Sequence, residues 1–440
     1  MIVLGIGFTI PMACSPQPDA EQVVHQLPVV PEGAFYVDPG TVMGKINPLV
    51  YGINHGPWAV ITDKTMPLAK EAGISLLRFP GGNWGDENDL QHSHIDQFAA
   101  LADQMGSQLF INVRLFKGTP EKAAELVYYA NIENDYEVKY WGIGNEPSLY
   151  VTSRGVEDYG VERFNTEWRE IAEAMSAVDP DILLVGPELH QFGSSLETTP
   201  KDPSGLDWMT EFLKTNGDLV DIVSVHRYPF PQGRGGRAAT INELSVTSTE
   251  WDQIIPYLRN LILEITGRNI PIAITEVNSH WSNAVGGEAT PDSYYNAIWW
   301  ANVLGRMISN RVAIVNYFSL HSNPSTGGYG ILSRSDARPT YYVYNLYQHF
   351  GETLVFSGCQ DTQVGVYAAL NQDKFLTILL INLDEEEIAR PLIIEGKARS
   401  LIEVWRIDEA NMLHQLDASQ LNISENILLP GYSITLLIVR

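Results

Sequence analysis

The sequence predicts an α/β chain, a (β/α)8 TIM barrel followed by a C-terminal all-β sandwich domain. Three observations lead there. From about residue 45, short apolar runs alternate with longer amphipathic segments, the pattern of βα units around a parallel sheet. Eight such units fit within about 275 residues, a span typical of a closed barrel. After about residue 340, helical periodicity fades and short strands separated by turns take over.

The eight predicted strands are residues 48–54, 75–79, 108–114, 138–146, 182–186, 222–228, 272–278 and 312–320. Helical periodicity fills the gaps at 64–72, 94–105, 120–130, 159–178, 208–215, 249–266 and 293–309. Pro120 falls just inside its helix, where a missing N–H is not needed. Asp179-Pro180 and Gly267 mark helix ends. A doubly wound open sheet would show fewer strands and a Gly-rich first turn, and no GxGxxG follows the first strand. In the last hundred residues, strands are predicted at 362–369, 375–383, 389–394, 401–407 and 432–439. The domain reading is therefore a barrel over 45–338 and a β domain over 339–440, to which residues 31–44 are expected to add a strand.

The 440 residues include 28 Lys plus Arg against 53 Asp plus Glu, a net charge of −25. That charge repels phosphate at long range and excludes a nucleic-acid partner. With 45% hydrophobic and 18% charged residues the composition is globular. No apolar stretch reaches the roughly 18–20 residues of a membrane span. Two cysteines, Cys14 and Cys359, cannot build a disulfide framework, and Cys359 reads as a small core residue. Residues 1–13 are apolar and Cys14 follows at once, ahead of the polar tether SPQPDAEQ. This resembles a bacterial lipoprotein signal. Residues 1–30 are thus expected to direct the chain to the cell surface or outside it, with a lipid anchor on Cys14.

In a barrel the active site lies at the C-terminal ends of the strands. The fourth strand, KYWGIGNEP, ends in Asn145 and Glu146. The seventh, IPIAITEVN, ends in Glu276 and Asn278. Both glutamates follow buried-looking runs, where an unpaired carboxylate is costly, so a plain surface charge fits neither. Two carboxylates at one mouth suit cleavage of a glycosidic bond: one protonates the leaving oxygen and the other meets the oxocarbenium-like carbon. The second strand ends LLRFPGGN, with Arg78 and Asn83, and the sixth ends VSVHRYP, with His226 and Tyr228. A guanidinium and a phenol near Glu276 favour its anion, and His226 can orient Glu146. Asn54 ends the first strand and Asn112 lies in the third. Trp58, Trp84 and Trp281 sit on loops where a sugar face could stack. Singly, any of these is as easily a packing residue.

The order Arg78, Asn145-Glu146, His226-x-Tyr228 and Glu276 resembles the clan of retaining (β/α)8 glycoside hydrolases. RFPGGN, with the terminal LLPGYSITLLIV, resembles its α-L-arabinofuranosidase family more narrowly. The resemblance covers roughly residues 45–440. It implies that Glu146 is the acid/base, that Glu276 is the nucleophile and that Asn83 contacts the sugar. Pro147 after the acid/base, Thr275 and Val277 around the nucleophile, and Asn54 on the first strand depart from the arabinofuranosidase pattern. They are also similar to xylosidase/iduronidase-like and glucuronidase-like families, so the sugar stays open.

Arg227, Arg234 and Arg237 follow the sixth strand in a very acidic chain, and guanidinium forks suit a uronic acid; a solvated loop is the plainer reading. His92 and His94 lack the carboxylate support of a metal site. Asp86, Glu87 and Asp89 read as a solvated acidic loop. The functional expectation is a retaining, exo-acting glycoside hydrolase with a carbohydrate substrate and no metal or organic cofactor. Its carboxylates should stand about 5–5.5 Å apart, with the proton affinity of Glu146 raised by burial and by ionised Glu276. The rivals are an endo-acting hydrolase and a non-catalytic glycan-binding surface lipoprotein.

Overall fold

The computed structural model describes residues 27–232, 235–322 and 328–440. The expected signal with Cys14, and Arg234 of the arginine loop, lie outside the described residues. Among the described residues no helix is long and apolar enough to cross a membrane.

Strand β1 is Phe35–Lys45. Eight parallel strands follow and close into a barrel: β2 (Gly52–Asn54), β3 (Leu76–Phe79), β4 (Gln108–Val113), β5 (Tyr140–Ile143), β6 (Leu183–Leu189), β7 (Ile222–Arg227), β8 (Ile272–Val277) and β9 (Ile314–Tyr317). Pairing of Gly52 with Asn316 closes the ring.

Side chains alternate along each strand, and the inward set changes character with height. Leu76, Phe110, Tyr140, Val185, Ile222, Ala273 and Ile314 form an apolar floor with Leu49. Two residues further along each strand come Arg78, Asn112, Ser224, Thr275 and Asn316, all buried, with Asn54 from β2. The barrel is therefore oily below and polar above. Glycines make room for the polar layer: a Cβ on Gly142 would lie 2.4 Å from Asn112 Oδ1, and one on Gly52 would lie 2.6 Å from Asn316 Nδ2. The outward residues, such as Leu77, Ile111, Trp141 and Val223, join the helices in one large core with Phe98, Trp168, Phe212, Trp251 and Trp300.

The helices largely follow the periodicity. The helix Pro120–Val127 is capped by the Thr119 side chain, and Trp251–Thr266 ends on Gly267 in the left-handed region at φ 67°. The differences have local causes. Residues Pro48–Tyr51 form a 3-10 turn, because the Asn47 side chain caps the Leu49 N–H. The segment predicted as helix through residue 130 passes into a π-helical turn at Tyr128–Glu133. The helix Pro339–Tyr347 was not predicted, since its run of tyrosines reads as strand. Its Tyr344 hydroxyl donates to the Gly52 carbonyl and its Tyr347 hydroxyl to the Ala301 carbonyl. It thus packs against the barrel as a further barrel helix.

The C-terminal part holds β10 (Thr353–Gly358), β11 (Val364–Leu370), β12 (Leu376–Asn382), β13 (Ile388–Ile394), β14 (Leu401–Ile407), β15 (Leu413–Leu416), β16 (Asn426–Leu429) and β17 (Ser433–Val439). With β1 they make one nine-stranded sheet in the order β15-β14-β17-β12-β11-β10-β1-β13-β16. It curls into a sandwich, and β16 comes back against β12 and β17. Inside lie Phe35, Val37, Leu380, Ile427 and Leu437. The outer face, with Tyr367, Leu379 and Leu436, joins the barrel core. Tyr367 donates to Asn302 Oδ1 at 2.6 Å on the helix Tyr294–Ser309. Cys359 is only half-buried, at the edge of the sandwich core, with the Arg390 guanidinium 3.2 Å from its sulfur. It is not the core residue that its size suggested.

Replacing Gly142 by Ala pushes a methyl into Asn112 and is expected to cost about 1–3 kcal/mol. The urea midpoint of the purified protein measures this, and an unchanged midpoint would contradict the close packing of the polar layer.

Candidate active site

Glu276, at the end of β8, is 4% exposed, and Glu146, just past β5, is 8% exposed. Glu276 Oε1 accepts from Arg78 Nη1 at 2.9 Å and from the Gly82 N–H at 2.8 Å. Its Oε2 accepts from the Tyr228 hydroxyl at 2.7 Å. Burial and the neighbouring Glu276 push the Tyr228 phenol well above its ordinary range, so it stays a donor. Glu146 is met differently. His190 Nδ1 lies 2.8 Å and His226 Nδ1 3.0 Å from the same oxygen, Oε1. His226 Nδ1 is also 3.7 Å from Glu276 Oε2. One oxygen of Glu146 and one of Glu276 lie within 4.8 Å of each other.

Behind the two carboxylates sits a buried charge layer. Arg78 is fully buried and also donates to Asn54 Oδ1 at 2.8 Å, Asn145 Oδ1 at 3.1 Å and Glu188 Oε2 at 3.0 Å. His226 Nε2 is 2.7 Å from Glu188 Oε2, so both of its nitrogens face carboxylates. Burial alone would lower its proton affinity, but Glu276, Glu146 and Glu188 override that and raise it to about 9. His226 is therefore an imidazolium at neutral pH.

Burial works to raise the proton affinity of Glu146, but His190 and His226 outweigh it and the net direction is down. This corrects the expectation of a raised carboxyl, which counted Glu276 and burial but not two imidazoles on one oxygen. The acidic proton of this site belongs to the Glu146–imidazole set rather than to Glu146 alone.

The two carboxylates open onto a cleft of about 620 Å³, lined by Asn83, Asn145, His190, Tyr228, Trp281 and Tyr329 among others. The Trp281 indole is fixed by donating to the Pro231 carbonyl at 2.8 Å.

No protein-family model matches the chain. The intracellular exo-alpha-(1->5)-L-arabinofuranosidase of Streptomyces lividans is 24% identical over 257 residues, 45% of this chain and 37% of that protein. Endoglucanase A of Paenibacillus lautus is 25% identical over 354 residues, 68% of this chain and 47% of its own length. The chain thus spans less than half the length of either relative. Among solved structures, an alpha-L-arabinofuranosidase of Thermotoga maritima in complex with arabinose superposes with a TM-score of 0.71 at 19% identity, covering 92% of this chain and 99% of that one. A Paenibacillus polymyxa xyloglucanase of glycoside hydrolase family 44 gives 0.72 at 15% identity, over 92% and 99%.

The chain has the fold of the (β/α)8 glycoside hydrolases. The clan and family resemblance drawn from the sequence matches these relatives.

Within this glycoside hydrolase fold the sequence-predicted residues fall into two groups. Glu146, Glu276, Asn83, Asn145, Tyr228 and Trp281 line the cleft. Arg78, His226, Asn54 and Asn278 are fully buried and stand behind it. Asn54 Nδ2 donates to the Thr275 and Asn316 carbonyls while its Oδ1 receives Arg78. Asn278 Nδ2 donates to the Phe318 carbonyl and its Oδ1 receives the Ser279 N–H, both at 2.6 Å. These two act as braces and make no contact with the cleft. Asn112 likewise holds the Gly144 carbonyl at 3.0 Å. Trp58 stacks on Phe318 and Trp84 meets His94 edge-on.

Glu188, His190 and Asp86 escaped the sequence reading as site residues. Pro187 ended the predicted fifth strand at residue 186, yet β6 runs on to Leu189 and delivers Glu188 and His190. Asp86 is 1% exposed, not solvated. It accepts from the Asn145 N–H at 2.8 Å, from the Leu115 N–H at 2.9 Å and from the Tyr150 hydroxyl. It thereby fixes the loop that carries Asn145 and Glu146. Glu87 pairs with Arg154, and Asp89 pairs with Arg114 and Lys122. His92 pairs with Glu125, and His94 Nδ1 accepts from the Gln91 N–H, so the two share no ligand site. Arg227 forks onto Glu250 and Arg237 onto Glu243, so both guanidinium groups already have carboxylate partners.

Substituting Arg78 by Met leaves the two buried anions Glu188 and Glu276 with His226 as their counter-charge and is expected to destabilise the fold by about 3–5 kcal/mol. Adding Glu188→Gln should recover part of that loss, because the excess negative charge of the layer is gone. Chemical denaturation of both variants reads the difference.

Proposed function

We propose that the chain is a retaining glycoside hydrolase, exo-acting, that releases an α-L-arabinofuranosyl or related neutral sugar from oligosaccharide or polysaccharide. The observation that carries this reading is that Glu146 and Glu276 face one cleft with an oxygen of each within 4.8 Å of the other. Retaining enzymes hold their carboxyl groups about 5–5.5 Å apart and inverting ones about 6.5–9.5 Å, to admit a water.

Glu276 attacks the anomeric carbon as the bond to the leaving oxygen breaks. The proton for that oxygen comes from Glu146, whose Oε1 is held by the imidazoles and whose other oxygen is available to the ligand. Water then gives its proton to Glu146 and its hydroxyl to the anomeric carbon, and the bond to Glu276 breaks. Configuration is kept. Arg78, the Gly82 N–H and the Tyr228 hydroxyl hold the nucleophile in place throughout. Relatives named exo-acting arabinofuranosidases support the choice of sugar and mode. One observation favours a second reading, an endo-acting glucanase: the match to Endoglucanase A covers 68% of this chain.

Nitrophenyl arabinofuranoside, xyloside, galactofuranoside and glucuronide compared side by side, with a β-glucan oligosaccharide, test the assignment. Turnover of the arabinofuranoside with release of single sugars is expected. Mid-chain cleavage of the glucan alone would favour the second reading, and turnover of the glucuronide alone would overturn the neutral sugar. Glu276→Gln should abolish turnover, and Glu146→Gln should lower it by about 10²–10⁴-fold. The anomer first released, read by proton NMR, should have the substrate's configuration; inversion would refute the double displacement.

A further inference from the structure

The two-carboxylate reaction has no direct use for a third, yet Glu188 is fully buried beneath it. One oxygen, Oε2, takes three contacts: Arg78 Nη2 at 3.0 Å, His226 Nε2 at 2.7 Å and the Thr275 hydroxyl at 2.6 Å. The Glu188 backbone is tied in as well. Its N–H donates to Ser224 Oγ at 3.0 Å, and its carbonyl accepts from the Glu146 N–H at 3.1 Å. Glu146 and Glu188 both hold left-handed backbone, at φ 50° and 60°, a conformation that non-glycine residues keep only where the surroundings enforce it.

The charges suggest a reason. Arg78 and His226 are two buried cations, and Glu276 and Glu188 are two anions. The layer is then neutral when Glu146 carries a proton, the state that serves a leaving group. With a neutral residue at 188, the two cations would draw a second negative charge from Glu146. We propose that Glu188 is a positioning residue that retains the acid's proton in the Glu146–His226 pair, by fixing His226 Nε2–H and balancing the charge of Arg78 and His226. This rests on the glycoside hydrolase reading and deepens it. Glu188 itself exchanges no proton with substrate.

The titratable and charged groups facing this pair are Arg78 from β3, Glu188 and His190 from the end of β6, Tyr228 after β7, Glu276 from β8 and Tyr329 across the cleft. Removing one anion from that set lowers the proton affinity of the pair whichever partner holds the proton. The arginine and the imidazolium keep Glu188 below the ordinary carboxylate range despite its burial, so the anion is present throughout the working range.

The test compares wild type, Glu188→Gln and Glu188→Asp by kcat/KM against pH. It uses a mononitrophenyl glycoside of the preferred sugar and the dinitrophenyl glycoside of the same sugar, whose better leaving group needs less protonation. The basic limb of Glu188→Gln is expected to move to lower pH by about one unit or more. The loss should be greater for the mononitrophenyl substrate, and Glu188→Asp should return the limb toward wild type. A Glu188→Gln profile that is merely scaled down, with equal losses on both substrates, would overturn the proposal. Nitrogen NMR of 15N-histidine-labelled wild type needs no variant: His226 must show two protonated nitrogens at pH 7, and a neutral ring there would also overturn it. If wild type turns over no glycoside, the functional reading fails on its own, and the histidine spectrum still decides the charge state.

Discussion

Arg78 is a cation without solvent contact, and most of the site's geometry follows from making that burial tolerable. An unpaired guanidinium in a barrel interior costs several kcal/mol. Here β2, the loop after β5, β6 and β8 each send one oxygen to it: Asn54, Asn145, Glu188 and Glu276. The apolar floor, with Phe110 5.9 Å below the guanidinium, offers nothing polar, so the fork points toward the mouth. Glu276 and Glu188 are divided between its two terminal nitrogens. Their separation is therefore set by the shape of one planar group, not by two independent loops.

His226 repeats the arrangement on the other side. It joins Glu188 to Glu146 through its two ring nitrogens, as Arg78 joins Glu188 to Glu276. Glu188 is thus the common counter-ion of two cations, each of which touches one of the cleft carboxylates. The β domain plays no direct part in this layer. It covers the helix Tyr294–Ser309, and the last barrel helix locks β2 through the bond from Tyr344 to Gly52. That helix holds the first barrel strand, which carries Asn54, in place.

The barrel and both cleft glutamates were legible because strand alternation and strand ends are local properties. GIGNEP and AITEV each place a carboxylate just past a buried run. What was lost was lost at punctuation or at long range. Pro187 is a strong local signal to stop a strand, and it hid Glu188 and His190 behind it. Asp86 lies in a run of polar residues that reads as solvent-exposed, and only tertiary packing reveals that its oxygens hold the Asn145 and Leu115 amides. Arg227 and Arg237 looked like receptors because a sequence displays cations without their partners. Glu250 and Glu243, 23 and 6 residues away, already satisfy them. The tyrosines of 339–347 carry strand propensity, but their hydroxyls and rings pay off only against the barrel, as a helix.

The two cleft carboxylates are the same residue type in unlike surroundings, and that difference supports the roles proposed for them. Glu276 receives a guanidinium, a backbone amide and a phenol, with donors on both oxygens, which suits an acceptor-only anion held in one orientation. Glu146 receives both imidazoles on one oxygen, so gain or loss of a proton on the other leaves those contacts in place. An imidazole neighbour can also share the proton when the carboxyl is desolvated by a sugar, whereas a guanidinium cannot, because arginine does not titrate in this range. The cation that each one meets supports the proposed assignment of attack to Glu276 and of proton transfer to Glu146.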